Sequence, residues 1–330
     1  LVAIVFIVSY ANYLWSKYKK KSEKKELDKF LDSFQSVKNE KDYAKLLGEN
    51  PEAISSLMLL ASIYYKSGNH EEAIAIYLIL LEYIKEKDKK IEVLSMLGKT
   101  YYKAGFLHRS RDILKESLRL KPRNQEVLKV LLVILERLKE YSNGFGVLES
   151  LEELGESVEK EKNFLKVFLI IEDAKMQDSI KIDKLKELLK GAPYTAHTIM
   201  EFLFFKSTKD AWEMLEFINI NDIIDILWVL APSDVEQEKI KNIAILNELF
   251  SARGVVDTAK KSEIFEFDIL INLQEKKEIA DLTFEYSCEC CKQVFPVYFH
   301  RCPSCFSVAR CKIEPILTKK SDSYFMGELA

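Results

Sequence analysis

Between residues 288 and 305 the chain reads C-E-C-C-K-Q-V-F-P-V-Y-F-H-R-C-P-S-C. Cys288 and Cys291 form one C-x-x-C pair, and Cys302 and Cys305 form a second after ten intervening residues. Two residues between cysteines let a tight knuckle aim both sulfurs at one point. Two such knuckles brought together by a short hairpin give four thiolates in a tetrahedron, the geometry of a structural zinc site. The intervening Val294 to Phe299 is β-branched and aromatic apart from Pro296, which suits a short two-stranded ribbon. Buried thiols or disulfides are the plainer reading of the same residues, but paired C-x-x-C at hairpin distance favours the metal. Four protein sulfurs leave no coordination position for water, so the expected role is structural and not hydrolytic. Iron fits the same sulfurs, and the sequence does not choose between the two metals. Cys290 and Cys311 are left over, with no role assigned.

No other stretch carries recognisable chemistry. There is no G-x-x-x-x-G-K-S/T, no G-x-G-x-x-G and no G-x-S-x-G, and the histidines at 70, 108, 197 and 300 lie far apart with none in H-E-x-x-H. His300, two residues before Cys302, finds four well-spaced cysteines already in place and is expected behind the ligands or at the surface. The expectation is a protein that is not an enzyme. A net charge of −3 supplies no global positive field to draw the chain to nucleic acid. Arg301, Arg310, Lys312, Lys319 and Lys320 around the cysteines are too few to reverse that reading.

The elements that must position the cysteines are helical. Gly and Pro are scarce, at ten and seven, which with abundant Leu, Ile, Lys and Glu favours helices nearly throughout. From Ile54 the chain is self-similar. Leu57, Leu60, Ala61, Tyr64, Gly68, Ala73, Tyr77 and Leu81 stand at tetratricopeptide spacing. Leu94, Leu97, Gly98, Tyr101, Gly105, Ser110, Leu114, Leu118 and Pro122 take the same offsets 37 residues on, and Leu128, Leu131, Leu132, Leu135, Gly144 and Leu148 follow after a further 34. Small residues (Ala61, Gly98, Ala73) let paired helices approach, and large ones fill the gap between pairs. After about Ser157 the pattern decays but stays helical, with Pro193 and Pro232 marking turns. The first helix of each pair lines a solenoid's inner surface. That projection puts Tyr65, Lys66, Lys99, Tyr102, Lys103, Lys129 and Arg137 in a groove that is locally basic and suits an acidic peptide.

Leu1 to Trp15 is uncharged and apolar, and six lysines follow it within ten residues. A membrane anchor accounts for both: Tyr13 and Trp15 fit an interfacial belt, and Lys17, Lys19, Lys20 and Lys21 snorkel to anionic headgroups. The lysines would hold everything downstream in the cytoplasm, a reducing compartment in keeping with metal-spaced cysteines. The expected fold class is thus all-α: a tetratricopeptide-type solenoid with an N-terminal membrane anchor and a small C-terminal β zinc ribbon. The expected parts are an anchor (1–16), a basic linker and partial repeat (17–50), tetratricopeptide units (51–157), degenerate helical repeats (158–281), the ribbon (282–317) and a tail (318–330).

This order of parts resembles the lipopolysaccharide assembly protein B family of Gram-negative bacteria. Members combine a short membrane anchor, a cytoplasmic tetratricopeptide array and a C-terminal rubredoxin-like zinc module. C-E-C-C, ten residues, then C-P-S-C has the family's cysteine spacing, with Phe299-His300 approaching the third ligand and Lys312-Ile313-Glu314-Pro315-Ile316 like its K-P-I ending. Lys292 stands where the family has a glycine. The resemblance implies a non-enzymatic adaptor at the inner (cytoplasmic) membrane, single-pass, with Cys288, Cys291, Cys302 and Cys305 as zinc ligands. It also implies protein partners: the membrane AAA+ protease FtsH, and the lipid A pathway deacetylase whose turnover the adaptor promotes. Two other readings stand beside it, a general tetratricopeptide scaffold for another envelope assembly and a rubredoxin-type iron electron carrier.

Overall fold

The computed structural model describes residues 40–50, 52–273 and 280–319. The expected anchor with Tyr13, Trp15, Lys17, Lys19, Lys20 and Lys21, the linker up to residue 39 and the tail from residue 320 lie outside the described residues. No helix among the described residues is long and apolar enough to cross a membrane. The chain divides into two compact units, Leu1–Ile134 and Leu135–Ala330.

The first unit holds α1 (Glu40–Glu49), α2 (Ala53–Ser67), α3 (His70–Tyr83), α4 (Lys87–Lys103), α5 (Leu107–Leu120) and most of α6 (Gln125–Arg137). Leu57, Leu60 and Ala61 recur along one face of α2 at helical spacing, and they are buried with Ala73, Tyr77 and Leu80 of α3 and Val93, Leu97 and Tyr101 of α4. Small residues set the α4–α5 approach. Ser110 Oγ donates to the Gly98 carbonyl (2.6 Å), and the hydroxyls of Ser95 and Ser117 meet at 2.9 Å, all of them buried.

The repeat offsets reappear in the backbone. Gly68 ends α2 with φ +86°, and the Asn69 N–H closes onto the Tyr64 carbonyl at 2.9 Å. Gly105 (φ +84°) with Phe106 N–H to Tyr101 O, and Lys139 (φ +57°) with Glu140 N–H to Leu135 O, build the same turn after α4 and α6, each at 2.9 Å. A left-handed residue closing the last carbonyls of a helix turns the chain sharply into the next one. Glycine takes that conformation freely; at Lys139 the turn geometry is kept without it.

The second unit continues with α7 (Tyr141–Glu153), α8 (Glu159–Glu172), α9 (Asp178–Gly191), α10 (Ala196–Lys206), α11 (Thr208–Met214), α12 (Ile224–Val229), α13 (Gln237–Asn242), α14 (Ala244–Arg253) and α15 (Phe265–Asn272). Pro193 and Pro232 each open a single 3-10 turn, as expected where proline supplies a fixed φ and needs no donor. From α11 to α13 the helices shorten to six or seven residues around Trp212, whose indole N–H donates to the Asp234 carbonyl at 2.8 Å. Three strands complete the unit: β1 (Ala280–Cys288), β2 (Val294–Phe295) and β3 (Cys311–Lys319), antiparallel in the order β2-β1-β3. In place of the two-stranded ribbon expected over Val294 to Phe299 there is one short strand, β2, ending before Pro296, and the long partner of β1 is β3, paired from Cys288↔Cys311 to Ala280↔Lys319. Leu282 and Ile313 bury in the helical core with Trp212, Phe250 and Phe267, so sheet and helices share one interior.

The closest packing yields a direct test. A Cβ on Gly98 would stand 2.6 Å from Leu114 Cγ and closer still to one of its methyl carbons. Gly98→Ala should therefore cost about 1–3 kcal/mol despite alanine's better helix propensity. In a Leu114→Ala background the same substitution should cost nothing or stabilise, as read by thermal unfolding of the single and double variants.

Candidate metal centre

Two knuckles of identical hydrogen bonding carry the four cysteines. In the first, the Cys288 N–H donates to the Gln293 carbonyl (2.9 Å) and the Lys292 N–H to the Cys288 carbonyl (2.8 Å). In the second, the Cys302 N–H donates to the Ser307 carbonyl (2.9 Å) and the Phe306 N–H to the Cys302 carbonyl (3.0 Å). Each knuckle closes through a left-handed residue, Lys292 and Phe306, both at φ +61°. That conformation explains why glycine suits the position of Lys292: a side chain there costs about 1–2 kcal/mol.

The four sulfurs lie within 4.8 Å of one another, with Cys288 Sγ 3.7 Å from Cys305 Sγ and Cys291 Sγ 3.6 Å from Cys302 Sγ. Ligands about 2.3 Å from a central zinc define a tetrahedron with edges of about 3.8 Å, so the residues present fit the ion. A disulfide needs about 2.05 Å, and all six cysteines are free. No other group of three His, Cys, Asp or Glu side chains converges in this way among the described residues. Cys288 and Cys302 are buried against Phe299, which meets Phe295 edge-on at 5.2 Å. The Ser307 hydroxyl, 3.1 Å from Cys305 Sγ, brings that thiol down to about 6, while burial pushes the Cys302 thiol up to about 12. A bound cation lets all four ionise together, because a coordinating thiol is held deprotonated. Bound there, zinc or iron would crosslink the two knuckles. Cys290 is exposed, and Cys311 stands opposite Cys288 in the sheet with its thiol pushed up to about 11 by burial.

Charged and aromatic contacts fix this module onto the helices of its own unit. The Glu136 carboxylate at the end of α6 accepts from Arg301 Nε at 2.7 Å and from Nη2 at 2.6 Å, in a bidentate pair with both side chains nearly buried. His300 packs on Phe164 and Phe168 (centroids 5.3 and 4.8 Å), with Nε2 3.6 Å from the same carboxylate, so it is a packing residue and no ligand. Buried Asp225 receives the Tyr286 hydroxyl at 2.7 Å and lies 2.8 Å from His197 Nε2, and the His197 ring stacks on Tyr298 at 3.5 Å. Trp228 Nε1 donates to Asp281 at 3.2 Å. No motif marks Glu136, Asp225 or His197 in the sequence; only the fold collects them. Arg301, a residue that could have served phosphate, is occupied by Glu136.

The residues projected onto the inner surface separate into two groups. Lys66, Lys103, Lys129 and Arg137 are exposed, and Arg137 belongs to the second unit. Tyr65 is half-buried, Tyr102 is buried, and Lys99 forms an ion pair with Glu126 of α6. The lysine charge at 99 is thereby met within the repeat array.

Burial raises the carboxyl of Glu136, yet His300 and Arg301 overcome it and hold the group at about 2. A carboxylate held below its unfolded value of 4.5 contributes stability that is complete above that pH and disappears as the pH falls towards 2. Glu136→Gln should cost about 3 kcal/mol at neutral pH by leaving Arg301 without its counter-ion. The gap to the wild type should narrow between about pH 4.5 and 2, measured by denaturant unfolding.

Comparison with known proteins agrees with the helical part. A tetratricopeptide repeat family model matches residues 52–123. No curated protein matches the chain. Among solved structures, YrrB, described as a TPR protein with an unusual peptide-binding site, is 20% identical over 56% of this chain and 91% of its own, with a TM-score of 0.37. MamA from Desulfovibrio magneticus RS-1 is 16% identical over 50% and 90%, also at 0.37. PilF of Pseudomonas aeruginosa is 17% identical over 46% and 68%, at 0.32. Over 52–123, then, the chain carries tetratricopeptide repeats, a fold of the protein-interaction type.

Proposed function

We propose that the protein is a non-enzymatic adaptor, tethered to the inner membrane by its N-terminal segment, that regulates lipopolysaccharide biosynthesis by promoting FtsH-dependent turnover of the lipid A pathway deacetylase. The observation that carries this reading is the four-cysteine ribbon seated in the same hydrophobic core as helices downstream of tetratricopeptide repeats. That combination of parts is the one the lipopolysaccharide assembly protein B family uses. The physical logic is proximity: an anchor confines the scaffold to the bilayer, the repeats hold a client, and the client's effective concentration at a membrane protease rises. A structural ion suits the task, since it crosslinks a small module without leaving a reactive position. The exposed Lys66 and Lys103 are the groups offered to an acidic client segment.

Affinity capture of the full chain from solubilised membranes, read by mass spectrometry, tests this directly. A membrane AAA+ protease and the deacetylase should be recovered together. Recovery of other envelope-assembly proteins with neither of these would replace the reading with a general scaffold. Lys66→Glu/Lys103→Glu should reduce client recovery about tenfold at low salt, and unchanged recovery would remove the basic surface from the account.

A further inference from the structure

Among the described residues the strand β3 pairs with a strand on one side only, the sheet order being β2-β1-β3. Among the described residues, no backbone hydrogen bond is made on its other side. Pro315, with no N–H to give, sits in this strand as proline does at a sheet edge. A groove of about 500 Å³ runs along the free edge, lined by Cys311–Pro315 and by Asp222, Glu266 and Glu289 from neighbouring elements.

The charge in this groove is one-sided. Asp222, Glu266, Glu289 and Glu314 face it, against a single cation, Lys312. Lys312 is bound to Glu314 at 2.9 Å and also feels the Glu289 carboxylate, which meets Arg310, outside the lining, at 3.6 Å. Among the described residues, Asp222 and Glu266 form no ion pair. Partial burial, and then the Glu289 carboxylate, raise the Asp222 carboxyl above its ordinary value, against the opposing influence of His197.

We propose that the outer edge of β3 binds a short extended segment of a partner protein carrying lysine or arginine at alternate positions. The free N–H and C=O groups of the edge hold the main chain of an added strand. Successive side chains of a strand point to opposite faces, so residues two apart bring their cations to the same wall of carboxylates. Pro315 interrupts the row of donors and confines the pairing to Cys311–Glu314, so the segment is short. The wall repels acidic peptides and nucleic acid. This surface belongs to the ribbon and its immediate neighbours and does not depend on which client the repeats hold.

The test uses the full, metal-loaded chain and a fluorescently labelled peptide of alternating valine and lysine. Anisotropy should show saturable binding that weakens as salt rises, and hydrogen exchange at Cys311 to Glu314 should slow on binding. Asp222→Asn/Glu266→Gln, which touches no cysteine, should lose about tenfold in affinity with helicity and metal content unchanged. The same peptide N-methylated at alternate backbone nitrogens, equal in charge but unable to pair, should not bind. Equal binding of the methylated peptide would reduce the effect to loose counter-ion attraction and overturn the proposal. So would unaltered exchange in β3, or full affinity in the double variant.

Discussion

Four sulfurs held within bonding distance of one point are the constraint on which the C-terminal half depends. Thiolates placed this close repel, burial makes the Cys302 thiol resist ionisation, and each knuckle closes through a non-glycine residue at positive φ. All of these oppose the arrangement. A sheet with one strand of two residues and two of nine has little apolar area of its own to offset them. A divalent ion bound there would reverse the balance, since coordination to ionised thiolates supplies folding free energy directly. The duplicated hydrogen bonding of the knuckles, one centred on Cys288 and one on Cys302, is the backbone's solution to aiming two sulfur pairs at one centre.

The knob so formed is not a pendant. Leu282 and Ile313 are part of the interior built by Trp212, Phe250 and Phe267, and the Glu136–Arg301 pair and the Asp225 cluster fix it laterally. Arg301 is the residue before Cys302, so the ion pair and the second knuckle are consecutive in the chain. Disturbing one should be felt by the other. For a scaffold, this means that the surface displayed to partners depends on an intact four-cysteine module, whose four sulfurs would leave a bound ion no position for water.

Local patterns were the most legible part of the sequence. Cysteine spacing predicted the cluster, and the 37- and 34-residue offsets reappear as three copies of one helix-ending turn at Gly68, Gly105 and Lys139. Both signals depend on residues close in sequence, where type and spacing nearly determine geometry. What stayed hidden is long-range. Glu136 and Arg301 are 165 residues apart, and Tyr286 reaches Asp225 across 61, with no local feature to announce either pairing. The inner-surface projection placed its residues on first helices of pairs. It did not foresee that Glu126 would meet Lys99 or that Tyr102 would be buried, because neutralisation and burial are decided by the next helix. The strand β3 was likewise read only as a sequence ending, since pairing with β1 is set by the fold of the intervening knuckles.

Metal analysis of the full chain, purified under reducing conditions, tests the central claim most directly. One zinc or iron ion per chain is predicted, lost completely in Cys302→Ser/Cys305→Ser together with the protease resistance of residues 280–319. A wild-type chain that is free of metal while its C-terminal sheet remains protease-resistant would contradict the account.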